Sequence, residues 1–525
     1  MDVSVYDTTL RDGCQARGFS LSVEDKLRVA HLLDDLGFHY IEGGWPGSNP
    51  SDEEFFAKAK QTAWRNAKLC AFGSTRRPNA DAGSDSNLRL LLDAETPVAT
   101  IVGKASADQV RVVLGVSLEE NLAMISDSVA FLKAAGREVI FDAEHFFDGW
   151  TADSDYALDC LKAAEGAGVD WVVLCDTNGG TLPANVASVC TRVVSSLRVK
   201  VGIHTHNDCE VAVANTVAAV EVGCLQVQGT INGYGERVGN ANLCSIIPNL
   251  QLKRGYDCLP MAGLERLTEL SLFVSEVGSA AHSLKLPYVG DEAFTHKAGL
   301  HVNAVMKGPE TYEHVSPESV GNRRHVLISD LAGKSNIQQK LDQLGIRLSS
   351  EQTSELLREI KVREHRGAVY EDADASFELL ALRAAKLYVA GFELVSYSAT
   401  TGQADGKDSS QATVKVRVGQ DHVMSAAEGG GPVHALDAAL RRALVEFYPE
   451  VASIKLLDYR VRVVDNESGT EARVRVWIQG TDGVHTWSTV GASSNIVSAS
   501  AQALLDGFEY SLLANRRSQV KRKTG

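Results

Sequence analysis

VGIHTHNDCEVAVANTVAAVEVGCLQV, residues 201–227, is the stretch of sequence that decides the fold. A short apolar run at 201–203 leads into polar residues, then into apolar residues at helical spacing over 211–222, and then into a second apolar run at 225–227. A strand, a helix and a second strand in this order are typical of one parallel βα unit. The same unit recurs along the chain.

Short apolar runs alternate with periodic helical segments over the first 250 residues, and helices are predicted at 23–36, 118–135 and 211–222. Eight such units suit a closed parallel barrel, whereas a doubly wound sheet usually has five or six strands. The sequence therefore predicts a TIM (β/α)8 barrel. The eight predicted strands are 3–6, 40–41, 69–72, 98–101, 139–141, 171–174, 201–203 and 225–227.

Polar residues follow these runs at the end where each strand should finish. If they were ordinary solvated loop residues, they would have no reason to recur at the same end of successive strands. On a TIM barrel the chemistry gathers in the loops after the carboxyl ends of the strands. The residues concerned are Asp7, Arg11, Asp12, Glu42, Asp142, Glu144, Asp176, Thr177, Asn178, the 204–208 segment and the 232–240 segment.

The composition excludes several classes of partner. The net charge is −15, with 67 acidic and 52 basic residues spread along the chain, so no basic face is predicted for nucleic acid. No stretch reaches the roughly 18 apolar residues that a membrane span needs, and no signal peptide precedes the first strand. Nine cysteines without CxxC pairs suit reduced thiols. We expect a soluble intracellular protein, cytoplasmic or in an organelle stroma or matrix.

The second half of the chain is organised differently. Residues 279–385 are irregular, with helices predicted at 335–344 and 350–362, and they form a linker region after the catalytic barrel at 1–278. Beyond them, strand 412–418 echoes strand 472–478, and helix 433–440 echoes helix 497–504. This duplication predicts a C-terminal α+β domain at 386–518, followed by a basic tail at 519–525. Both helices begin after small-residue loops, which either bind a carboxylate or serve only as helix entries.

His204 and His206 are the sharpest local feature. Alternate residues at a strand end point the same way and can place two imidazoles on one ion, although such a pair can also be a hydrogen-bonded structural feature. A closed barrel brings Asp12 and Asn240 to the same mouth. Two nitrogens and two oxygens without thiolate favour Mg²⁺, Mn²⁺, Co²⁺ or Zn²⁺ with open coordination positions. The sequence thus predicts a catalytic divalent-metal site.

Charged neighbours of this site suggest further roles. Arg11 cannot lose its proton and could stabilise an oxyanion beside the ion, or form a surface salt bridge. Glu42 could hold the guanidinium by paired hydrogen bonds, or could be a helix N-terminal carboxylate. Glu144, His296 and His301 can transfer a proton, and the sequence does not distinguish which of them is the base.

Several motifs are similar to one family. Asp7-Thr-Thr-Leu-Arg-Asp-Gly13, Ile41-Glu42, His204-Thr-His206-Asn-Asp208 and the 232–241 segment NGYGERVGNA resemble the signatures of the 2-isopropylmalate, homocitrate and citramalate synthases, which belong to a wider barrel group with hydroxymethylglutaryl-CoA lyase. The resemblance extends through Phe294-Thr-His-Lys-Ala-Gly-Leu-His301 and reaches the C-terminal repeat. FDAEHFFD at 141–148, CDTNGGT at 175–181, QGTIN at 228–232, TYEH at 311–314 and GKSN at 333–336 resemble the citramalate synthase branch most.

The resemblance implies a reaction and a set of roles. It implies condensation of acetyl-CoA, as co-substrate, with pyruvate and water to give citramalate and CoA in isoleucine biosynthesis; the acetyl-CoA contacts stay open. It implies that the repeat domain senses an amino acid, with isoleucine as the natural end-product inhibitor, and that the chain forms a homodimer; the sequence does not fix the effector. The implied site residues are Asp12, His204, His206 and Asn240 as metal ligands, Arg11 with Glu42 behind it at the oxyanion, Thr177, Arg11 and Glu144 at the substrate, Glu144 and His301 for deprotonation, and Tyr312 as a linker tyrosine that enters the partner subunit's site.

Three alternatives remain at this point. The pocket could accept 2-oxoisovalerate, which would make the chain a 2-isopropylmalate synthase. The barrel motifs also permit a metal-dependent carbon–carbon lyase or aldolase, although lyases of this group generally end soon after the barrel. A third alternative is a non-catalytic amino-acid sensor, which the complete set of metal-ligand candidates opposes.

Overall fold

The computed structural model describes residues 1–327, 334–404, 407–464 and 471–524. It divides into two compact units, one of residues 1–294 with 314–324 and one of residues 295–313 with the described residues from 325 onward. The predicted boundaries at 278, 385 and 518 stay predictions. Gly333 of the GKSN motif and Gly525 of the basic tail lie outside the described residues.

The first unit contains a closed barrel of eight parallel strands in sequence order, so the predicted fold is confirmed. All eight predicted runs lie within or beside an observed strand. The parallel register closes between the first strand and the eighth, where Tyr6 is opposite Gln228. The strands are β1 (Ser4–Asp7), β2 (Tyr40–Gly44), β3 (Lys68–Ser74), β4 (Val98–Lys104), β5 (Glu138–Glu144), β6 (Trp171–Asp176), β7 (Lys200–Thr205) and β8 (Gln226–Gly229).

Helices surround the barrel, and their ends follow from local sequence. Helix α1 (Val23–Leu36) is capped at its N-terminus by Ser22, whose side chain accepts from the Asp25 N–H. It is followed by Gly37, which has a φ of 90°. No helix of the described residues combines the length and apolar character that crossing a bilayer needs. The remaining helices of this unit are α2 (Pro50–Ala59), α3 (Ser86–Asp93), α4 (Ala107–Gln109), α5 (Leu118–Ala134), α6 (Phe146–Ala152), α7 (Ser154–Gly166), α8 (Pro183–Ser196), α9 (Ala212–Glu221), α10 (Leu243–Pro248), α11 (Met261–Leu264) and α12 (Leu267–Val277).

The strands separate two hydrophobic clusters because successive side chains point to opposite faces. The larger cluster fills the space between the strands and the helices. A smaller one fills the barrel interior and includes Tyr6, Ile140, Trp171 and Val173. Along β7, His204 continues the inward-facing series toward the carboxyl end. The polar site residues therefore lie at the carboxyl ends of the strands, next to the packed barrel interior.

The second unit begins within the predicted linker region. It has short strands β9 (Thr295–His296) and β10 (His325–Val326), which pair in parallel. Its helices are α13 (Gly299–Lys307), α14 (Lys334–Gln343), α15 (Ser350–His365) and α16 (Asp374–Ala384). The predicted helices at 335–344 and 350–362 correspond to α14 and α15.

Two similar modules follow, each a three-stranded antiparallel sheet with one helix, so the predicted duplication is confirmed. Buried Ala435, Leu436 and Leu440 pack the first helix against its sheet. The basic tail predicted at 519–525 continues the last helix as far as Thr524. The elements are β11 (Glu393–Ala404), β12 (Lys407–Val418), β13 (Asp421–Gly429), α17 (Pro432–Leu444), β14 (Lys455–Val463), β15 (Val474–Thr481), β16 (Thr486–Ser493) and α18 (Ile496–Thr524).

Candidate active site

Three of the predicted metal ligands converge at the carboxyl end of the barrel. Asp12, His204 and His206 are buried, and one ligand atom of each lies within 4.8 Å of the others. His204 Nε2 is 3.4 Å from His206 Nε2 and 3.6 Å from Asp12 Oδ2. The inward-facing series of β7 places His204, and His206 lies two residues further along the chain. The loop after β1 supplies Asp12.

The electrostatics keep these groups in the protonation states that bind a cation. Burial lowers the pKa of His204, and burial together with the nearby His204 ring lowers the pKa of His206 to about 4. Burial alone would raise the pKa of Asp12, but Arg11 and the two histidines lower it overall. Near neutral pH the cluster therefore presents two neutral imidazoles and one carboxylate.

Asn240 completes the set that fits a divalent ion. Its Nδ2 donates to Tyr234 O at 3.1 Å, while its Oδ1 and Asp12 Oδ1 are buried without a hydrogen-bond partner among the described residues. A buried oxygen without a donor is costly, and a cation would satisfy both. A Cβ at Gly235, whose φ is +155°, would lie 2.2 Å from Asn240 Nδ2. Glycine there lets the loop hold Asn240 beside His206, with which it forms a backbone bridge.

Arg11 is fixed beside the cluster. Its Nε donates to Glu42 Oε2 at 2.7 Å, and its guanidinium carbon lies 3.8 Å from the centre of the Phe72 ring. Burial opposes the charge, but Glu42 and Asp12 raise the pKa of Arg11 overall. We predicted that Glu42 accepts paired hydrogen bonds from the Arg11 guanidinium, and the structure shows one such bond. Glu42 Oε1 instead accepts from the Tyr6 hydroxyl at 2.8 Å, and the Thr8 hydroxyl also donates to Oε2.

A cavity of about 260 Å³ opens over these residues. Thr177 and Glu144 both line it, as does Arg11. Thr177 Oγ1 accepts from the His145 N–H at 2.9 Å, so its hydroxyl proton is available to another acceptor. Glu144 Oε2 is 2.5 Å from Lys104 Nζ. The cavity thus combines a metal cluster, a fixed cation, a hydroxyl donor and a carboxylate.

His301 and Tyr312 belong to the second unit. Their ring centroids are 4.5 Å apart, and the Tyr312 side chain is half exposed. His296 Nε2 is 3.2 Å from Glu313 Oε1 in the same unit. The roles of His301 and Tyr312 at the barrel site stay predictions.

Four residues with direct effects on the site were not given a role by the sequence. Tyr6 fixes Glu42, Lys104 pairs with Glu144, and Gln228 contacts His204. Arg237 binds both oxygens of Asp208 at 2.8 and 2.9 Å and donates to the Thr177 carbonyl, which ties three loops together at the mouth. Inward-facing parity along each strand is the signal that could have found Tyr6, Lys104 and Gln228.

Comparison with protein families places this geometry in context. Residues 2–274 match the HMGL-like family, and residues 288–367 match the homocitrate synthase post-HMGL domain-like family. Residues 371–512 match the LeuA allosteric (dimerisation) domain. Together these matches span the barrel, the linker region and the duplicated modules.

Curated relatives are similar over nearly the whole chain. The (R)-citramalate synthases of Aquifex aeolicus (strain VF5) and Geobacter sulfurreducens are each 50% identical to it, over 523 and 525 residues, and 99% of each chain is covered. The (R)-citramalate synthase of Sulfolobus acidocaldarius is 46% identical over 513 residues, which cover 97% of both chains. The chain therefore belongs to the HMGL-like family and, within it, to the (R)-citramalate synthases.

Proposed function

We propose that this chain catalyses the condensation of acetyl-CoA with pyruvate and water to give (R)-citramalate and CoA, and that it depends on a divalent metal ion. The observation that carries the proposal is the buried cluster of Asp12, His204 and His206 beside the fixed guanidinium of Arg11. The relatives named as (R)-citramalate synthases support the choice of product.

Asp12, His204, His206 and Asn240 would hold the metal ion. Their nitrogen and oxygen donors suit Mn²⁺, Mg²⁺, Co²⁺ or Zn²⁺. When bound, such an ion supplies Lewis-acid polarisation of a keto group and neutralises negative charge on its oxygen.

Arg11 stabilises the same oxygen. The guanidinium keeps its charge at every working pH, and Glu42 and Phe72 hold it from behind and from one face. A donor that is already oriented costs no reorganisation when negative charge develops on the keto oxygen during attack. The Thr177 hydroxyl, whose oxygen accepts from the His145 N–H, donates a hydrogen bond to the 2-oxoacid carboxylate.

Glu144 and His301 together remove a proton from the methyl group of acetyl-CoA. Lys104 Nζ lies 2.5 Å from Glu144 Oε2 and orients this carboxyl group at the cavity wall. The methyl carbon then bonds to the keto carbon of pyruvate, and the keto oxygen takes a proton to become the hydroxyl. Water cleaves the thioester and releases CoA. Tyr312 enters the site of the partner subunit in this proposal.

The oxoacid tail faces apolar cavity walls. Phe72, Val102 and Cys175 line the cavity beside the polar groups. One methylene in such a pocket changes discrimination by only about 1 to 3 kcal/mol, so substrate choice needs a direct comparison. We expect the highest kcat/KM for pyruvate among pyruvate, 2-oxobutyrate, 2-oxoisovalerate and 2-oxoglutarate. A higher value for 2-oxoisovalerate would make the chain a 2-isopropylmalate synthase and leave the reaction type unchanged.

The domain organisation supports a regulated homodimer. We propose a catalytic barrel at 1–278, a linker at 279–385 that contributes to the site, and a regulatory and dimerisation domain at 386–518, because residues 371–512 match the LeuA allosteric (dimerisation) domain. We also propose that citramalate feeds an isoleucine route that bypasses threonine, with isoleucine as the end-product inhibitor. The nine free cysteines and the two intracellular substrates suit a cytoplasmic enzyme.

A cavity in the second unit supports a binding site for isoleucine. It measures about 470 Å³, and Ile454, Ile478 and Phe508 give it apolar walls. Val433 and His434, in the first turn of α17, also line it, so N–H groups at the start of a helix are available to a carboxylate. A branched aliphatic side chain fits the walls and an amino-acid carboxylate fits the helix start.

A further inference from the structure

The second ring nitrogen of His204 has a buried partner of its own. His204 is opposite Gln228 in the β7–β8 register, and its Nδ1 lies 3.0 Å from Gln228 Oε1. The two side chains are 5% and 1% exposed, so water does not compete for this contact. An amide oxygen only accepts hydrogen bonds, so Nδ1 carries the ring proton and Nε2 keeps its lone pair.

The Gln228 amide makes two further contacts in this orientation. Gln228 Nε2 donates to Asp142 Oδ1 at 3.1 Å and to Gln226 Oε1 at 3.3 Å. If the amide turned over, its oxygen would need a donor from Asp142 or Gln226, and its NH₂ group would face His204 Nδ1. The contact with Asp142 needs only a lone pair on Oδ1, which the carboxyl group has in either protonation state.

The neighbouring imidazole has no such support. His206 Nδ1 is buried without a hydrogen-bond partner among the described residues. Strand β8 therefore sets the tautomer of one of the two imidazoles, His204, and leaves the other free to adopt either. His204 Nε2 is 3.4 Å from His206 Nε2, and the inverse tautomer would put a proton on this nitrogen, which would have to be unprotonated to bind an ion.

We propose that Gln228, anchored by Asp142, is a positioning residue that sets the tautomer and ring orientation of His204 and thereby the affinity of the site for a divalent ion. This rests on the proposed metal-dependent function. Loss of a hydrogen-bond partner behind a metal-ligating histidine typically weakens metal affinity by about 10- to 100-fold.

The test measures Mn²⁺ affinity of the full-length protein by the electron paramagnetic resonance signal of free Mn²⁺. Gln228→Met, which removes the acceptor but keeps the volume, should weaken binding about 10- to 100-fold. Asn215→Leu is the matched control, because Asn215 is also a fully buried amide, but it lies on α9 and donates to the Thr181 carbonyl. It should stay within about threefold of wild type. The double change Gln228→Glu with Asp142→Asn restores an acceptor and its anchor, and should recover most of the affinity.

If Gln228→Met fails to fold, a second measurement on the wild type still tests the proposal. Long-range ¹H–¹⁵N spectra of the metal-free wild type, assigned with His204→Ala, should show a protonated Nδ1 and an unprotonated Nε2 in His204. The inverse tautomer would overturn the proposal, as would equal losses of affinity in Asn215→Leu and Gln228→Met. If the wild type makes citramalate but Gln228→Met binds Mn²⁺ as tightly as the wild type does, only the positioning role is refuted. A wild type that binds Mn²⁺ as expected but makes no citramalate refutes only the proposed function, and one that binds no Mn²⁺ refutes both.

Discussion

His204 Nε2 and His206 Nε2 lie 3.4 Å apart at the carboxyl end of β7. Both imidazoles are neutral near pH 7, because burial lowers the pKa of each. Gln228 directs the His204 lone pair toward the other ring. A cation held by both Nε2 atoms and Asp12 would stabilise this close approach. The geometry is that of a metal site whose ligands are in place.

Replacing Arg11 by Lys should reduce kcat about 100- to 1000-fold, because a lysine keeps the charge but loses the planar donors that face the developing oxyanion. The unfolding free energy should change much less than in Arg11→Ala, which leaves the buried Glu42 without its cation. Steady-state kinetics and urea unfolding check both. Arg28→Lys, at a side chain that is 59% exposed, is the control. Wild-type turnover in folded Arg11→Lys would remove the assigned role.

Asp7 should make the protein less stable as the pH rises through the weakly acidic range. Burial raises the pKa of Asp7 from 3.8 to about 7, so the folded state holds a proton that the unfolded chain releases between these values. Stability from this group is full below about pH 4 and falls by roughly 4 kcal/mol by about pH 7. Asp7→Asn should remove this part of the pH dependence, whereas Asp159→Asn, at a half-exposed side chain, should not. Urea unfolding from pH 4.5 to 7.5 measures it, and parallel wild-type and Asp7→Asn curves would contradict it.

Lys104 should position the proposed proton acceptor. Without the ammonium group 2.5 Å from Glu144, the carboxylate loses the contact that orients it at the cavity wall, so Lys104→Met should lower kcat/KM about 10- to 100-fold. Lys133→Met, which breaks the Lys133–Asp170 pair outside the site, is the matched control and should leave kcat/KM unchanged. Wild-type kcat/KM in folded Lys104→Met would mean that Lys104 does not position Glu144 for catalysis.

Leu456→Trp should abolish inhibition by isoleucine while catalysis continues. Leu456 lines the 470 Å³ cavity of the second unit and is 55% exposed, so a larger side chain can fill the cavity mouth without disturbing the core. Leu457→Trp is the matched control, because Leu457 is equally exposed but is not a lining residue. Dose–response curves with isoleucine and leucine measure the effect. Retained inhibition by isoleucine in Leu456→Trp would show that the effector binds elsewhere. Inhibition by leucine alone would show that the effector is leucine and not isoleucine.

The sequence predicted the barrel and the metal cluster because both depend on simple periodicity. Eight apolar runs gave the strands, and polar residues at their carboxyl ends gave the mouth. His204 and His206 are two residues apart, and closure of the barrel was sufficient to bring Asp12 to them. These predictions needed no knowledge of side-chain packing.

The supporting contacts could not be predicted in the same way, because each joins strands that are distant in sequence. Tyr6 reaches Glu42 across 36 positions, and Gln228 reaches Asp142 across 86. In the sequence Tyr6 counts only as an apolar residue of the first strand. The paired contact that we predicted between Glu42 and Arg11 failed for the same reason, since Tyr6 takes the second oxygen. Only the closed barrel shows which inward-facing side chains meet.

Release of free CoA thiol from acetyl-CoA by the chelator-treated protein tests the central claim most directly. We predict that release requires both pyruvate and an added divalent ion such as Mn²⁺, and that His206→Ala abolishes it while His422→Ala, at an exposed histidine, does not. Thiol release that persists in the metal-free protein, or that does not depend on an oxoacid, would contradict the account.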